Sequence, residues 1–317
     1  MFSLKSRNVN TAYPELFNLV GVLGKKVDTR NGTAVALMSP LLMQITHPTE
    51  RVLFNEARNA NPFFHMMESI WMLAGREDVE FVAQFNKRMI EYSDNGRTFN
   101  APYGHRWRKS FGYDQIEAVC SMLRANPEDR RCVIGMWDPY NDLGLKSKDL
   151  PCNTQIMCRI VGGALDFTIT NRSNDLIFGL MGANAVHMSM LQEYMAAKIG
   201  VPVGNWYHMT NNLHVYEHHW SLLHCAEPYE AQYPASMPLT NIGEMFDVDC
   251  RRVCDNNLKL LVHPYIELVV APMYRAWRAW KCELPEEALV QCNEIMSDDW
   301  RLACTAWILR AMEKKNA

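Results

Sequence analysis

The pattern of hydrophobic and polar residues along the chain predicts both strands and helices. A polar turn at residues 28–33 precedes the apolar run 34–45, which predicts a strand region. Residues 115–125 predict a helix that ends at Asn126-Pro127, and residues 132–136 predict a buried strand. The first half of the chain therefore combines the two kinds of element.

Two adjacent glycines, Gly162-Gly163, separate the apolar runs 155–161 and 164–170, an arrangement typical of a β-hairpin with a two-residue turn. Apolar side chains keep helical spacing over residues 184–199, with Asn184 in a position to cap that helix. Strands and helices do not alternate regularly, so the pattern predicts an α+β fold with a mixed sheet and flanking helices.

One predicted helix carries a charge on an otherwise apolar surface. Asn61-Pro62 is suited to begin a helix, and residues 63–73 are apolar on nearly all sides up to Gly75, which is typical of a helix end. The helix is predicted to be buried, yet it contains Glu68. A buried carboxylate must be paired, hydrogen-bonded or functional.

The last part of the chain differs in character from the rest. Residues 226–240 resemble a proline-marked loop, and the sequence after about residue 255 predicts helices as far as Lys315. We therefore expect a main domain over residues 1–250 and a helical extension over residues 251–317 that packs on it.

Composition excludes several classes of protein. A chain of 317 residues with 48% hydrophobic residues can bury a core without disulfide or metal support. Its net charge of −3 argues against bulk nucleic-acid binding. Because the chain has no run of 18 apolar residues and no secretory signal pattern, we expect a cytoplasmic protein with reduced thiols. Its ten cysteines form no CxxC pair, which disfavours a zinc ribbon.

Cys152, in the segment Leu150-Pro151-Cys152-Asn153, is the first candidate for chemistry. A lone cysteine is usually an inert buried side chain, and a nucleophilic one needs a positively charged setting. Arginines that could supply that setting, or bind an anion, occur at three other places. They are Arg172, followed by Ser173, in the polar run 171–175; the pair Arg130-Arg131; and Arg30 in a turn. By themselves, the polar run and the arginine pair are more often ordinary surface charge.

A second pattern suggests different chemistry. His214-Val215-Tyr216-Glu217-His218 matches the His-x-x-Glu-His pattern, which on a helix places two zinc ligands on one face with Glu as the base. A zinc hydrolase is therefore an alternative hypothesis. Against it, no helix downstream supplies a clear third ligand, and a short pattern arises easily by chance in a chain with ten histidines.

Taken in order, eight segments resemble the thymidylate synthase family, which includes the pyrimidine nucleotide hydroxymethylases. The resemblance covers about residues 15–220. The segments are Arg30-Asn31-Gly32-Thr33; Glu68 with Trp71, Leu73 and Gly75; Tyr103-Gly104 with Trp107-Arg108; Arg130-Arg131; Pro151-Cys152; Arg172-Ser173-Asn174-Asp175 with Gly179; Asn184; and His214 with Tyr216. The same resemblance gives His214 and Tyr216 a role other than zinc binding.

The resemblance implies a reaction and its participants. Cys152 would attack C6 of a pyrimidine nucleoside monophosphate, and C5 would then capture the one-carbon unit of 5,10-methylenetetrahydrofolate. Arg130 and Arg131 would reach the phosphate from the other subunit of a homodimer. The remaining roles are phosphate binding by Arg30, Arg172 and Ser173, water organisation by Glu68 and Tyr103, pterin contact by Asp175, base recognition by Asn184, and sugar binding by His214 and Tyr216. No metal, membrane or nucleic-acid partner is expected.

Departures from the family pattern bear on the product. Asn153 stands where methylating members have His, and residues 85–102 contain no Trp near Met89, where a Trp commonly packs beside folate. The segment between Arg172 and Asn184 is one residue longer than usual, so Ala183 competes with Asn184 for the base. The helical extension stands where synthases have a short apolar tail.

These departures favour hydroxymethylation over methylation, with water acting beside Glu68 and Asn153. Ordinary thymidylate synthesis is the alternative, and a catalytically silent binding protein is disfavoured because Cys152 and the arginines are present. Uracil is favoured over cytosine as the base, but the choice between them, and between ribose and deoxyribose, stays open.

Overall fold

The computed structural model describes residues 1–29, 31–225, 229 and 231–316. The chain divides into two compact units, each assembled from separate stretches. The first unit comprises Met1–Asn59, Arg106–Lys146 and Leu150–Ala231, and the second comprises Ala60–His105, Ser147–Asp149 and Gln232–Ala317. The domain division proposed at residue 250 stays a prediction.

Both strands and helices are plentiful among the described residues. The strands are β1 (Phe2–Ser6), β2 (Lys25–Thr29), β3 (Gly32–Ala36), β4 (Leu41–Ile45), β5 (Val133–Gly135), β6 (Asn153–Val161), β7 (Ala164–Asn171), β8 (Asn174–Asp175), β9 (Val203–Thr210) and β10 (Leu213–Tyr216). The α-helices are α1 (Val9–Leu23), α2 (Pro62–Leu73), α3 (Val79–Ala83), α4 (Met89–Tyr92), α5 (Tyr103–Arg108), α6 (Gln115–Ala125), α7 (Pro139–Asp142), α8 (Asn184–Ile199), α9 (Glu244–Cys254), α10 (Ala271–Lys281), α11 (Pro285–Asn293) and α12 (Asp298–Asn316). Two π-helical segments, Leu176–Ala183 and Ile266–Val270, precede α8 and α10, and a 3-10 helix, Glu217–Cys225, follows β10.

Two sheets form the framework of the first unit. The six-stranded sheet has the order β1-β4-β9-β7-β6-β5, and the four-stranded sheet has the order β2-β3-β10-β8. Parallel pairs (β1 with β4, β7 with β9, β8 with β10) occur beside antiparallel ones. This mixed arrangement with flanking helices confirms the predicted α+β class.

The β6–β7 hairpin follows the predicted pattern. Gly162 and Gly163 have φ values of 58° and 82°, which a two-residue hairpin turn requires and side chains with a Cβ disfavour. From this turn the strands pair residue by residue until a bulge between Asn153 and Gln155. One face of the sheet, including Ile156 and Ile169, is buried, and α8 packs against β7 and β9.

Most predicted elements are confirmed, with three differences. The apolar run 34–45 forms two strands because Pro40 interrupts it, and the strand predicted at 132–136 is limited to β5. Asn184 does not cap α8, because the π-helical residues before it are already hydrogen-bonded; its backbone N–H donates to Gly179 O. Its side chain is thereby available for other contacts.

The second unit is mainly helical. All twelve residues of α2, Glu68 included, are buried. Aromatic rings hold the later helices to α2: Phe63 lies 5.5 Å from Trp277 of α10 and 5.7 Å from Trp307 of α12. In the part of the chain that the structure describes, no helix combines the length and the apolar character needed to cross a membrane.

Candidate active site

Cys152 and Arg172 lie side by side at the open end of the β6–β7 hairpin. The Arg172 backbone N–H donates to Cys152 O over 3.0 Å, and Arg172 Nη2 lies 3.8 Å from Cys152 Sγ. The guanidinium is held there by bonds from Nε to Pro151 O and from Nη2 to Leu150 O, 2.9 and 3.2 Å long. A fixed cation at this distance favours a thiolate over a neutral thiol.

Burial distinguishes Cys152 from most other described cysteines. Cys152 is half-buried, whereas most of the others are fully enclosed. Burial raises the pKa of Cys120 and of Cys292 to about 12, so these thiols stay protonated at neutral pH. Cys282 is exposed. Cys152 therefore combines access to solvent with an adjacent cation, the setting that a nucleophilic cysteine requires.

A cleft of about 460 Å³ adjoins this pair. Its lining consists of Gly135, Trp137, Thr154, Gln155 and Arg172. The Arg172 guanidinium carbon also lies 5.9 Å from the centre of the Trp137 ring. Arg172 thus faces both the sulfur and a cleft wide enough for a small anionic group.

Asp175 and His214 meet on the second sheet. They are register partners in the parallel pairing of β8 with β10. Asp175 Oδ1 accepts a hydrogen bond from Ile177 N, at the start of the π-helix. Burial raises the pKa of Asp175 and lowers that of His214, although each charge partly offsets the other's shift. The two groups are therefore shifted toward their neutral forms.

Tyr216 lies on the same strand as His214. Tyr216 OH accepts a hydrogen bond from Asn31 Nδ2 over 3.2 Å, which brings the β2–β3 turn beside it. His214 Nδ1 lies 3.1 Å from Asn212 Oδ1. Arg30, the third arginine named from the sequence, lies outside the described residues.

Asn184 lies in a buried series of amide side chains. Asn153 Nδ2 donates to Asn184 Oδ1 over 3.3 Å, and Asn184 Nδ2 donates to Asn174 Oδ1 over 3.2 Å. His208 Nε2 lies 3.4 Å from Asn174 Nδ2 and 2.7 Å from Asn171 Oδ1. This series connects the residue after Cys152 to the start of α8.

Neither Asn174 nor His208 received a role from the sequence. Two sequence signals could have identified such residues. One is a polar residue that directly follows a buried strand, and the other is a polar residue that interrupts the apolar face of a strand. Burial holds His208 neutral by lowering its pKa to about 3.

The segment before Asn184, in which the sequence analysis expects one extra residue, forms a π-helix. The Asn184 N–H to Gly179 O bond spans five residues, as in a π-turn, and Gly182 departs from helical geometry. A π-turn accommodates one additional residue. Asn184 is thereby directed into the amide series, whereas Ala183 offers no polar side chain.

Arg130 and Arg131 are not brought to Cys152 within one chain. Both are exposed, and Arg131 pairs with Asp129 over 2.7 Å. The next residue, Cys132, accepts a hydrogen bond from Cys158 N, six residues along β6 from Cys152. At about 3.3 Å per residue, the separation along the strand is about 20 Å.

A comparison with known proteins identifies the relationship of this chain to them. A family model described as thymidylate synthase matches residues 11–253. The chain belongs to the thymidylate synthase family. It is therefore a transferase, and its family's chemistry uses a folate-type one-carbon donor and a pyrimidine nucleotide.

Phage proteins are among its relatives. The chain is 40% identical over 328 residues to a deoxyuridylate hydroxymethyltransferase of Pseudomonas phage M6, covering 97% of this chain and 93% of that protein. It is 37% identical over 227 residues to a deoxyuridylate hydroxymethyltransferase of Bacillus phage SP01, covering 68% of this chain and 59% of that protein.

Two residues that the sequence analysis names for water organisation, Glu68 and Tyr103, belong to the second unit. Glu68 is buried in the middle of α2, and Tyr103 begins α5. A Cβ at Gly104 would collide with the backbone of Met72, so this glycine allows α5 to approach α2 closely. Gly104, next to Tyr103, thus has a packing role within this unit.

The zinc-site geometry predicted from His-x-x-Glu-His does not form. His214 lies on β10 and His218 lies in the 3-10 helix, so the two are not on one face of an α-helix. Glu217 pairs with Lys26 over 2.8 Å. Over residues 1–29, 31–225, 229 and 231–316, no group of three His, Cys, Asp or Glu side chains is arranged to hold a metal ion.

Proposed function

We propose that this protein transfers a one-carbon unit to C5 of dUMP and releases the 5-hydroxymethyl product. The observation that carries the proposal is its 40% identity, over nearly the full length of both chains, to a phage deoxyuridylate hydroxymethyltransferase. The cofactor in this proposal is 5,10-methylenetetrahydrofolate. The arrangement of Cys152 and Arg172 independently supports nucleophilic chemistry at this site.

Cys152 is the nucleophile in the proposed reaction. Its sulfur forms a bond to C6 of the pyrimidine, which places negative charge on C5 and O4 and makes C5 nucleophilic. When bound, the folate supplies the methylene unit that C5 accepts. Loss of the C5 proton would break the bond between the methylene carbon and the folate nitrogen, with tetrahydrofolate as the leaving group. Water then adds to the exocyclic methylene carbon and gives up one proton, while the C5–C6 double bond reforms and C6 releases the Cys152 thiolate. Asn153, beside Cys152, and Glu68 are the groups proposed to position that water.

The proposed phosphate site requires two chains. Arg172 and Ser173, with Arg30, bind the phosphate of the nucleotide whose C6 meets Cys152 of the same chain. Arg130 and Arg131 are about 20 Å from that cysteine along the strand, which supports a role for them at a partner's site rather than at their own. Exposed apolar side chains on the outer face of the six-stranded sheet, Val133, Met157 and Met209, support a homodimer formed through this face.

Asn184 contacts the base in this proposal, and His214 and Tyr216 contact the sugar hydroxyl. An amide can donate to uracil O4 and accept from N3–H, which favours dUMP over dCMP. The π-helix directs Asn184 rather than Ala183 into the polar series, which supports the assignment.

The residues around Asp175 suit a folate-type group. Asp175 offers carboxylate oxygens to the N–H groups of a pterin, and its raised pKa reflects a partly desolvated position. Close to it, the Phe178 ring is 43% exposed and is flanked by Arg58, whose guanidinium carbon lies 4.4 Å from the ring centre. A flat heterocycle could pack on that ring. Tyr103, with Glu68, is proposed to organise water during proton transfer.

Product analysis tests this function. The purified protein is incubated with 5,10-methylenetetrahydrofolate and dUMP, dCMP or CMP, and the nucleotide products are identified by mass. We expect 5-hydroxymethyl-dUMP without the absorbance rise that accompanies dihydrofolate formation. A product of thymidylate mass, with stoichiometric dihydrofolate, would establish the alternative function of dUMP methylation. The cytoplasmic location expected from the sequence stays a prediction.

A further inference from the structure

Both hydrogen-bonding partners of the Asn184 amide in the buried series constrain its orientation. Asn153, Asn184 and Asn174 are 0%, 7% and 3% exposed. Asn184 Oδ1 faces the NH₂ group of Asn153, and its Nδ2 faces the carbonyl oxygen of Asn174. Reversing the Asn184 amide would place NH₂ against NH₂ and oxygen against oxygen. In a buried setting both mismatches are unfavourable, so the neighbours select one orientation.

Gly179 provides the space in which Asn174 makes this contact. A Cβ at position 179 would collide with Asn174 Oδ1 and lie 3.5 Å from Asn184 Nδ2. The π-turn brings this glycine over the pair, because Asn184 N–H bonds to Gly179 O. A side chain at position 179 would therefore turn the Asn174 amide away from Asn184.

The orientation has a consequence for base selection. A side-chain amide has two N–H groups and two oxygen lone pairs, and the series uses one of each from Asn184. The remaining N–H and lone pair match uracil, which presents O4 as acceptor and N3–H as donor. Cytosine presents the opposite pattern, N4–H as donor and N3 as acceptor, and would need the reversed amide.

We propose that Asn174 is a positioning residue that fixes the Asn184 amide in the orientation that selects uracil, and that Gly179 is required for it to do so. The inference rests on the proposed contact between Asn184 and the base.

Dissociation constants for dUMP and dCMP test it. They are measured by calorimetry for the full-length protein and for Asn174→Leu and Gly179→Ala. We expect the preference for dUMP over dCMP to fall about tenfold in both variants, the equivalent of about 1.4 kcal/mol. If Asn174 and Gly179 had a purely structural role, the variants would weaken binding of both nucleotides equally. The ratio of the two dissociation constants would then stay unchanged.

Two further variants serve as controls. Asn174→Asp keeps an oxygen that can accept from Asn184 Nδ2, so it should keep most of the preference. Thr210→Val removes a hydroxyl that is buried in the same unit and has no hydrogen-bond partner among the described residues, and it should leave the ratio unchanged. If Asn174→Leu does not fold, Gly179→Ala provides the same measurement by a different route.

Asn184→Asp distinguishes failure of the proposed role of Asn174 from failure of the proposed contact between Asn184 and the base. We expect this variant to shift preference toward dCMP, because a carboxylate accepts from N4 and can hold a protonated N3. If it does so while Asn174→Leu and Gly179→Ala keep the wild-type ratio, the role of Asn174 is refuted and the base contact stands. If Asn184→Asp leaves the preference unchanged, the base contact itself fails, and the role of Asn174 fails with it.

Discussion

Asp175 and His214 face each other across the β8–β10 pairing, and burial shifts the pKa of the acid upward and that of the imidazole downward. Asp175 also accepts the Ile177 N–H at the first turn of the π-helix. One carboxylate thus serves the helix start, a neighbouring imidazole and, in our proposal, the pterin.

Asp175→Asn should separate these roles. The amide oxygen can still accept from Ile177 N, so folding should be preserved. Losing the carboxylate as acceptor should raise the folate KM at least tenfold. It should also lower the pKa of His214 further, because a nearby negative charge is removed. Steady-state kinetics and an NMR titration of His214 measure both effects. An unchanged folate KM would remove Asp175 from the folate site.

Cys152→Ala should abolish release of tritium from C5 of labelled dUMP, because no sulfur is left to add to C6. Nucleotide binding should remain measurable by calorimetry. Cys282→Ala is the matched control, since that cysteine is exposed and has no assigned role, and it should retain full turnover. Persistent tritium release in Cys152→Ala would show that another group is the nucleophile.

Mixing two inactive variants should restore activity if the sites are shared. Unfolding Cys152→Ala with Arg131→Ala and refolding them together yields hybrid dimers in which one site has both groups. Random pairing predicts recovery of about a quarter of the wild-type activity for a two-fold symmetric dimer. A mixture of Cys152→Ala with the Cys152→Ala/Arg131→Ala double variant has no intact site and should stay inactive. Equal results in the two mixtures would contradict site sharing.

Acidification should destabilise the protein partly through His208. Burial lowers the pKa of His208 from 6.5 to about 3, so between these values the unfolded chain binds the proton and the folded chain does not. The contribution of neutral His208 to the free energy of unfolding is therefore fully present above pH 6.5 and declines as pH falls. The loss is about 2 kcal/mol by pH 5.

Denaturant titrations at several pH values measure this decline. His208→Gln cannot be protonated and should show a shallower pH dependence by that amount. Parallel pH profiles for the two proteins would assign the acid sensitivity to other groups.

Local sequence determined a large part of the fold and of the site. Gly162-Gly163 fixes the hairpin register, and with the bulge near Asn153 that register brings Cys152 opposite Arg172. The buried helix α2 follows from an apolar segment with a clear beginning and end. These features were predictable because turn geometry and side-chain periodicity depend on residues that are close in sequence.

Other features depend on packing between distant segments. The zinc pattern suggested one helical face, but pairing of β10 with β3 and β8 placed His214 on a strand. The π-turn that joins the Asn184 N–H to Gly179 O was not predictable from the sequence. The contact of Asn174 with Asn184 likewise arises from the arrangement of β8 and α8. The separation of Arg131 from Cys152 arises from the pairing of β5 with β6. Burial and long-range hydrogen bonds are properties of the assembled sheets, so only the tertiary structure decided them.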